Sequence, residues 1–182
     1  FFHQDGETLY FVSTCTDQRK GIGGLDIFYI RKENGTWTAP KNIGFPINSA
    51  QDELGLFVST NGKLAYYSSL KDGNWNIYSF ELYPEARPQE VVILKGELVD
   101  ENKQVITDAE VEITNHLNGE KSTFKVNGDD GKYAAVVKVN QPGDLTITVK
   151  KDGFAFNAKV IDTEALKENK AIVPTTNFVL ET

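Results

Sequence analysis

One segment of the sequence occurs twice, and this internal repeat restricts the possible folds more than any other feature. Residues 5–11 read Asp-Gly-Glu-Thr-Leu-Tyr-Phe, and residues 61–67, 56 positions later, read Asn-Gly-Lys-Leu-Ala-Tyr-Tyr. A second match, residues 25–28 against 75–78, is offset by 50 positions. The loop at 14–24 is longer than its counterpart at 70–74, which accounts for the difference between the two offsets.

The repeat reads as strand, two-residue turn, strand, turn and strand, which is typical of the blades of a β-propeller. A single blade cannot bury both of its own faces, so each blade needs neighbours. A closed propeller uses about four to eight blades. The sequence therefore predicts a partial propeller of about two blades. We expect the chain to be a piece of a longer protein, because it contains no Met and the repeat starts within a unit.

Tight-turn dipeptides predict antiparallel sheet throughout the chain. Asn-Gly or Asp-Gly supplies the positive φ angles of hairpin turns. Eight such dipeptides separate apolar, aromatic-rich runs, at 5–6, 34–35, 61–62, 72–73, 118–119, 127–128, 130–131 and 152–153. The only helix predicted is a turn or two at 162–170. We expect an all-β fold.

The first domain is predicted at 1–83, as the C-terminal blades of the propeller. Its strands are expected at 1–3, 9–13, 27–31, 37–42, 54–59, 64–69 and 77–82, with no obvious fourth strand in the second blade. Pro84 and Pro88 cannot sit in a central strand, so residues 84–90 are predicted to be a linker.

The second domain is predicted at 91–182, as a β-sandwich of immunoglobulin-like type. Seven short strands with frequent turns support this interpretation. They are expected at 91–99, 110–115, 122–126, 133–139, 145–150, 154–160 and 176–180. Residues 145–149 alternate between apolar and polar side chains, as in a strand with one buried face.

The net charge of −7 makes nucleic acid an improbable partner, since non-specific nucleic-acid binding depends on basic patches. It also argues against docking to an anionic membrane surface. No apolar run approaches the roughly 20 residues needed to cross a bilayer, so direct membrane insertion is not expected.

The acidic and glycine-rich motifs have structural interpretations that we favour. Asp52 and Glu53 are adjacent, so in an extended segment they point to opposite faces and cannot converge on one reacting atom. We expect one of them to accept backbone N–H groups. The Gly-rich run 21–26 lacks a dinucleotide fingerprint and is predicted to be a hairpin loop. Residues 127–131 offer oxygen ligands to calcium, but a turn is favoured.

The sequence contains few residues that serve as nucleophiles or as metal ligands. His3 and His116 are the only histidines, which makes a zinc site improbable, and neither Ser13 nor Ser59 lies in a nucleophile elbow. Cys15, the single cysteine, is predicted to be a small apolar residue, although basic residues at 19 and 20 leave a reactive thiol open. We predict no catalytic residue, no cofactor site and no metal site.

Aromatic residues make up 11% of the chain, and most of them are expected to pack between blades. Trp37 and Trp75 lie next to tight turns and can reach the surface there. A sugar-stacking platform remains open for these two residues, although packing between blades is favoured.

The residues of the first half resemble the propeller repeat of TolB-like and OmpA-family periplasmic proteins. The matching motifs are Asp-Gly-x-x-Leu-Tyr-Phe-x-Ser at 5–13, Gly-Gly-Leu-Asp-Ile-Phe at 23–28, Trp-x-x-Pro-x-Asn-Ile-Gly at 37–44 and Ile-Asn-x-x-x-Asp-Glu at 47–53. The second half resembles a carboxypeptidase regulatory-like domain, a transthyretin-like sandwich. The motifs here are Lys-Gly-Glu-Leu-Val-Asp at 95–100, Ala-Glu-Val-Glu-Ile at 109–113, Gly-Lys-Tyr at 131–133 and Val-x-Lys-x-Gly-Phe at 149–154.

The order of the two modules resembles the middle of large OmpA-family proteins of Bacteroidetes, among them a component of type IX secretion. This resemblance implies a non-catalytic scaffold in the periplasm, associated with the outer membrane. Its expected partners are envelope or secretion-system proteins, and peptidoglycan through a domain outside this chain. The alternative is that the modules belong to a hydrolase or to a glycan-binding protein, although fold analogy is a weak basis for function.

Overall fold

The computed structural model describes residues 1–17, 19–139, 143–168 and 175–181. Within these residues the fold is all-β, made of several small and mainly antiparallel sheets, with one short helix at Thr163–Glu168. The chain divides into two compact units, Phe1–Val91 and Val92–Thr182.

The first unit contains two sheets. Sheet I has the order β1-β2-β3, with β4 also paired to β2, and sheet II has the order β5-β6-β7. The strands are β1 (Thr8–Thr14), β2 (Leu25–Glu33), β3 (Thr36–Trp37), β4 (Lys41–Asn42), β5 (Glu53–Val58), β6 (Leu64–Ser69) and β7 (Asn76–Glu81). All of these pairings are antiparallel.

The sequence repeat is also a structural repeat at the turn before β1 and the turn before β6. The backbone N–H of His3 donates to the Thr8 carbonyl at 2.9 Å, and the N–H of Ser59 donates to the Leu64 carbonyl at 2.8 Å. Both turns need a residue with positive φ, which glycine adopts without strain. The turn glycines are Gly6 and Gly62, with φ of 72° and 70°.

The two sheets of the first unit bury one hydrophobic core. Strand β5 packs against β1 and β2, so that one face of sheet I lies on one face of sheet II. The buried members of this core are Tyr10, Ile27, Tyr29, Ile43, Ile47, Leu56, Val58, Ala65, Tyr67, Leu82 and Ala86. Aromatic rings supply much of its area, as expected for stacked small sheets.

The second unit also buries one core between two sheets. Sheet III has the order β10-β9-β12-β13, and sheet IV has the order β11-β8-β14, in which β14 runs parallel to β8. The strands are β8 (Val91–Asp100), β9 (Glu110–Asn115), β10 (Lys121–Lys125), β11 (Lys132–Lys138), β12 (Asp144–Lys150), β13 (Asn157–Asp162) and β14 (Phe178–Leu180). Alternate residues of β12, Leu145, Ile147 and Val149, point into this core.

Three predicted strands differ clearly from the observed ones, and the strand predicted at 154–160 is observed as Asn157–Asp162. Residues 37–42 form two short strands, because Pro40 has no N–H to donate and separates β3 from β4. Residues 1–3 form only an isolated bridge, between Phe2 and Leu9. The predicted helix at 162–170 is observed as Thr163–Glu168, and residues 169–170 lie outside the described part of the chain.

The segment predicted to be a linker makes specific hydrogen bonds within the first unit. A short 3-10 helix covers Pro84–Ala86, and Ala86 is buried. The Tyr10 hydroxyl donates to the Ala86 carbonyl, and the Tyr29 hydroxyl donates to the Glu85 carbonyl at 3.1 Å. These bonds hold residues 84–86 against sheet I.

Candidate functional site

The most concentrated polar cluster of the first unit lies below the loop that joins β1 to β2. The Asp26 carboxylate is fully buried and accepts the backbone N–H groups of Ile22 and Gly23. It also accepts the Asn42 side-chain amide at 2.8 Å. Asp26 therefore fixes the Gly-rich loop at 21–26, which connects two antiparallel strands.

Asn48 extends this cluster into the core. Its amide oxygen accepts the Ile27 N–H at 2.9 Å, and its amide nitrogen donates to the Ile27 carbonyl at 2.9 Å and to Asn42 at 2.8 Å. One side chain thus satisfies both backbone groups of a residue in β2. The Ile43 N–H donates to the same Ile27 carbonyl at 3.1 Å, so Asn48 completes the hydrogen bonding of β2 beside β4.

Asp52 and Glu53 point to different partners, as their adjacency predicts. Asp52 accepts the Leu25 N–H at 2.8 Å. Glu53 is fully buried and accepts the Ser49 N–H at 3.0 Å, the Ser49 hydroxyl at 2.6 Å and the Ser69 hydroxyl at 2.9 Å. Both carboxylates are engaged in holding loops to strands.

A buried His3–Asp5 pair lies in the turn before β1. The ring nitrogen Nδ1 of His3 accepts the Asp5 N–H at 3.1 Å, and Nε2 lies 3.2 Å from the Ser59 carbonyl. The Asp5 carboxylate accepts the N–H groups of Glu7, Thr8 and Gln89, each at 2.9 Å. Both ring nitrogens of His3 are therefore used in hydrogen bonds at the repeated turn.

The ionisation of Asp5 follows from these contacts. Burial by itself would raise the pKa of the carboxyl group, because it disfavours the charged form. The Thr8 hydroxyl and the N–H groups of Glu7 and Gln89 donate to the carboxylate, favour its charged form and outweigh burial. Together they hold the pKa of Asp5 well below its ordinary value of 3.8.

Cys15 is exposed, and its sulfur lies near two acceptors. Sγ is 3.6 Å from the Gly23 carbonyl and 3.9 Å from an Asp26 carboxylate oxygen. These contacts are to a carbonyl and a carboxylate, whereas reactive cysteines usually lie next to a cation or a helix N-terminus.

The oxygen-rich residues at 127–131 form a turn between β10 and β11. The Asn127 amide oxygen accepts the Asp129 N–H at 2.8 Å. Asp130 accepts the Lys132 N–H at 3.1 Å and pairs with Lys132 Nζ at 3.1 Å, which lowers the pKa of its carboxyl group. Among the described residues, no group of three or more His, Cys, Asp or Glu side chains is placed to hold a metal ion.

The second histidine and the two serines each form hydrogen bonds of their own. His116 Nε2 lies 2.6 Å from the Thr146 hydroxyl, far in sequence from His3. The Ser13 hydroxyl accepts Arg19 at 2.7 Å, and the Ser59 hydroxyl donates to Asn61 at 2.7 Å. His3 reaches Ser59 only at its backbone carbonyl, so in these contacts neither serine hydroxyl has a histidine beside it, which a hydroxyl nucleophile usually needs as its base.

An open groove of about 670 Å³ lies in the second unit, next to the turn at 127–131. Three lysines, Lys95, Lys125 and Lys132, line it together with Tyr133. Burial raises the pKa of the Tyr133 hydroxyl to about 12, so it stays protonated at neutral pH. The hydroxyl donates to the Thr176 carbonyl at 2.6 Å, which identifies a structural role.

Sheet II carries an apolar surface that the sequence patterns do not predict. The face turned away from the core carries the exposed side chains of Leu54, Phe57, Tyr66 and Ile77, which we call the outer face of sheet II. Trp37 and Trp75 are also exposed. Exposed apolar patches of this kind mark interaction surfaces more often than isolated exposed residues do.

Comparison with known proteins gives no family. No protein-family model matches the chain, and a search of curated proteins found no match. In the described part of the chain, no helix combines the length and the apolar character required for a membrane span.

Solved structures show only distant similarity. Catechol 1,2-dioxygenase from Acinetobacter sp. ADP1 is 14% identical over 54% of this chain and 54% of its own, with a TM-score of 0.35. This chain thus spans about half the length of that dioxygenase chain.

Two further solved structures are of a pilus adhesin and of a biofilm-associated protein. The C-terminal fragment of pilus adhesin SpaC from Lactobacillus rhamnosus GG is 13% identical over 99% of this chain and 93% of its own, with a TM-score of 0.35. The BSP domain of a biofilm-associated protein is 16% identical over 86% of this chain and 24% of its own, with a TM-score of 0.25. At these TM-scores the similarities assign neither a fold nor a function.

Proposed function

We propose that the first unit consists of about two blades of a β-propeller and that the second is a transthyretin- or immunoglobulin-like sandwich. The support for the blades is the repeated turn, with equivalent hydrogen bonds at His3 and Ser59, and the stacking of sheet I on sheet II. The support for the sandwich is the single core shared by sheets III and IV.

The protein is a non-catalytic scaffold that binds other proteins. The observation that carries this proposal is the outer face of sheet II, where Phe57, Tyr66 and Ile77 are exposed on an antiparallel sheet. The buried carboxylates Asp5, Asp26 and Glu53 serve backbone and hydroxyl donors, which is a structural use of acidic groups. A rigid sheet with exposed aromatic side chains suits protein recognition.

The scaffold acts in the periplasm, in association with the outer membrane. It links an envelope or secretion complex, such as the type IX machinery, to the cell wall through a peptidoglycan-binding domain outside these residues. The support for the location and the partners is the resemblance of the two modules, in their order along the chain, to OmpA-family proteins of Bacteroidetes.

A second candidate function is glycan binding by the chain itself, or a place beside a hydrolase. The observation in its favour is the exposure of Trp37 and Trp75, since indole rings stack on sugars. The Trp37 ring already packs on Phe2, with centroids 6.1 Å apart, so Trp75 is the better sugar platform of the two.

Two binding assays with the immobilised chain test the proposal. Detergent extracts of the Bacteroidetes cell envelope are passed over the wild-type chain and over a Tyr66→Thr/Ile77→Thr variant. We expect envelope proteins to be retained by the wild type and lost with the variant. In parallel, the chain is sedimented with purified peptidoglycan sacculi, and we expect it to stay in the supernatant.

Retention of the same proteins by both versions, or of none by either, would contradict the scaffold proposal. Co-sedimentation with sacculi that is abolished by Trp75→Ala would establish the glycan-binding alternative instead.

A further inference from the structure

The outer face of sheet II is the repeat equivalent of a face that is buried elsewhere in the chain. The offsets of the repeat place Tyr66 on Tyr10 and Ile77 on Ile27. Tyr10 and Ile27 are 1% and 0% exposed, because that face of sheet I lies against sheet II. Tyr66 and Ile77 are 41% and 78% exposed. The second repeat thus has apolar residues at the same positions as the first, but no sheet covers them.

The opposite side of sheet I has the complementary property. Its side chains, which we call the outer face of sheet I, are Phe2, Leu9, Phe11, Phe28 and Ile30. By the same offsets these correspond to Val58, Ala65, Tyr67, Tyr78 and Phe80 of sheet II. Those five residues belong to the face of sheet II that covers sheet I, or pack against its core.

The outer face of sheet I is apolar but incompletely covered. Phe2 is 53% exposed, and Trp37, whose ring meets the Phe2 ring edge to face, is 43% exposed. Leu9, Phe11 and Ile30 are half-buried, whereas Phe28 is only 1% exposed. The chain therefore carries both halves of the sheet-on-sheet contact that it already forms internally, and each half is partly open to solvent.

We propose that a second copy of this chain docks head to tail, with the outer face of sheet II of one copy on the outer face of sheet I of the next. The internal packing of sheet I on sheet II supplies the geometry, since the same positions of the repeat meet. This inference rests on the proposed scaffold function and specifies one of its partners.

The cation that lies over the outer face of sheet I does not prevent the proposed contact. The Arg19 guanidinium lies 5.5 Å from the centroid of the Phe28 ring, at one end of the outer face of sheet I. At the equivalent ring, Lys71 Nζ lies 3.7 Å from the centroid of Tyr78, which packs against the core between the two sheets. The packing of sheet I on sheet II inside the chain therefore tolerates a cation over the equivalent ring.

The contact is heterologous, because two different faces meet, so it extends into chains or closes into rings. This property separates it from a two-fold dimer that pairs the same face of two copies. It also provides a sharp test, since each face can be removed independently.

The experiment uses sedimentation velocity of the full chain over a range of concentrations. One variant, Tyr66→Thr/Ile77→Thr, removes the outer face of sheet II, and another, Phe2→Thr/Trp37→Thr, removes the outer face of sheet I. Phe156→Thr is the matched control, because Phe156 is an exposed aromatic residue of the second unit. All of these side chains are exposed, so the variants should remain folded, which circular dichroism verifies.

The wild type and Phe156→Thr are expected to grow beyond the 20.3 kDa of one chain as the concentration rises. Each double variant alone should associate at least about tenfold more weakly. An equimolar mixture of the two double variants should form a dimer and stop there, because each supplies one intact face.

A wild type that remains a monomer up to several hundred micromolar would overturn the proposal, as would a mixture that fails to dimerise. Association of either double variant as strong as that of the wild type would also overturn it. If the wild type is monomeric but still retains envelope proteins through the outer face of sheet II, the docking proposal fails and the scaffold function stands.

Discussion

Tyr10 and Tyr66 hold equivalent positions in the two repeats, yet Tyr10 is 1% exposed and Tyr66 is 41% exposed. The two residues sit in the same register beside their hairpin turns, 56 positions apart. The difference comes from the neighbouring sheet, which covers Tyr10 and leaves Tyr66 open. The repeat places a tyrosine at the same position of both strands, and the presence or absence of a neighbouring sheet determines whether that tyrosine is buried.

Asp5 is expected to make the stability of the protein fall in acid. Its pKa is depressed below the ordinary 3.8, so its contribution is complete above that pH and is lost as the pH falls below it. In urea unfolding between pH 5 and 2.5, Asp5→Asn should flatten the pH dependence of the unfolding free energy. The difference in slope should approach about 1.4 kcal/mol per pH unit, the value for one proton.

Asn61 provides the control for Asp5, because it occupies the equivalent turn and has no ionisable group. Asn61→Ser should lower the unfolding free energy by an amount that does not change with pH. An Asp5→Asn variant with the same acid slope as the wild type would show that Asp5 is not the group responsible.

Asn48→Asp is expected to lower the unfolding free energy at pH 7 by about 3 kcal/mol or more. The substitution replaces the nitrogen that donates to the Ile27 carbonyl with a carboxylate oxygen, in a fully buried position. Asn118→Asp is the matched control, because Asn118 is exposed, and it should change the stability by less than about 0.5 kcal/mol. Equal losses in the two variants, measured by urea unfolding, would refute the role of Asn48.

Gly96→Ala is expected to disrupt the second unit, because a Cβ at Gly96 would lie 2.0 Å from the Thr176 carbonyl oxygen and 2.3 Å from the Tyr133 ring. We expect a loss of about 3 kcal/mol or more, measured by thermal unfolding with far-UV circular dichroism. At Gly128 an added Cβ would meet its nearest atom at 3.8 Å, so Gly128→Ala should be tolerated. A Gly96→Ala protein as stable as the wild type would show that β8 and Thr176 do not approach so closely.

Alternation and turn dipeptides were sufficient to place most strands. Leu145, Ile147 and Val149 alternate with polar residues in the sequence, and they point into the core of the second unit. The division of residues 37–42 into two strands was not predicted, although Pro40 is visible in the sequence and its missing N–H explains the break.

The polar clusters were beyond the reach of sequence patterns, because their partners are distant along the chain. Asn48 pairs with Ile27, 21 positions away, and His3 meets Ser59, 56 positions away. The outer face of sheet II was missed for a different reason. Tyr66 and Ile77 fit the same pattern as the buried Tyr10 and Ile27, so alternation alone could not show which pair is covered.

The most direct test of this account compares the same substitution at the two equivalent tyrosines. Tyr10→Ser and Tyr66→Ser are unfolded in urea at a concentration where the chain is monomeric, and the unfolding free energies are compared with that of the wild type. Tyr10→Ser should cost about 3 to 5 kcal/mol, because it leaves a cavity between the sheets and removes the hydrogen bond to Ala86. Tyr66→Ser should cost less than about 1 kcal/mol. Equal costs at the two positions would contradict the account, since they would mean that the outer face of sheet II is packed like its buried counterpart.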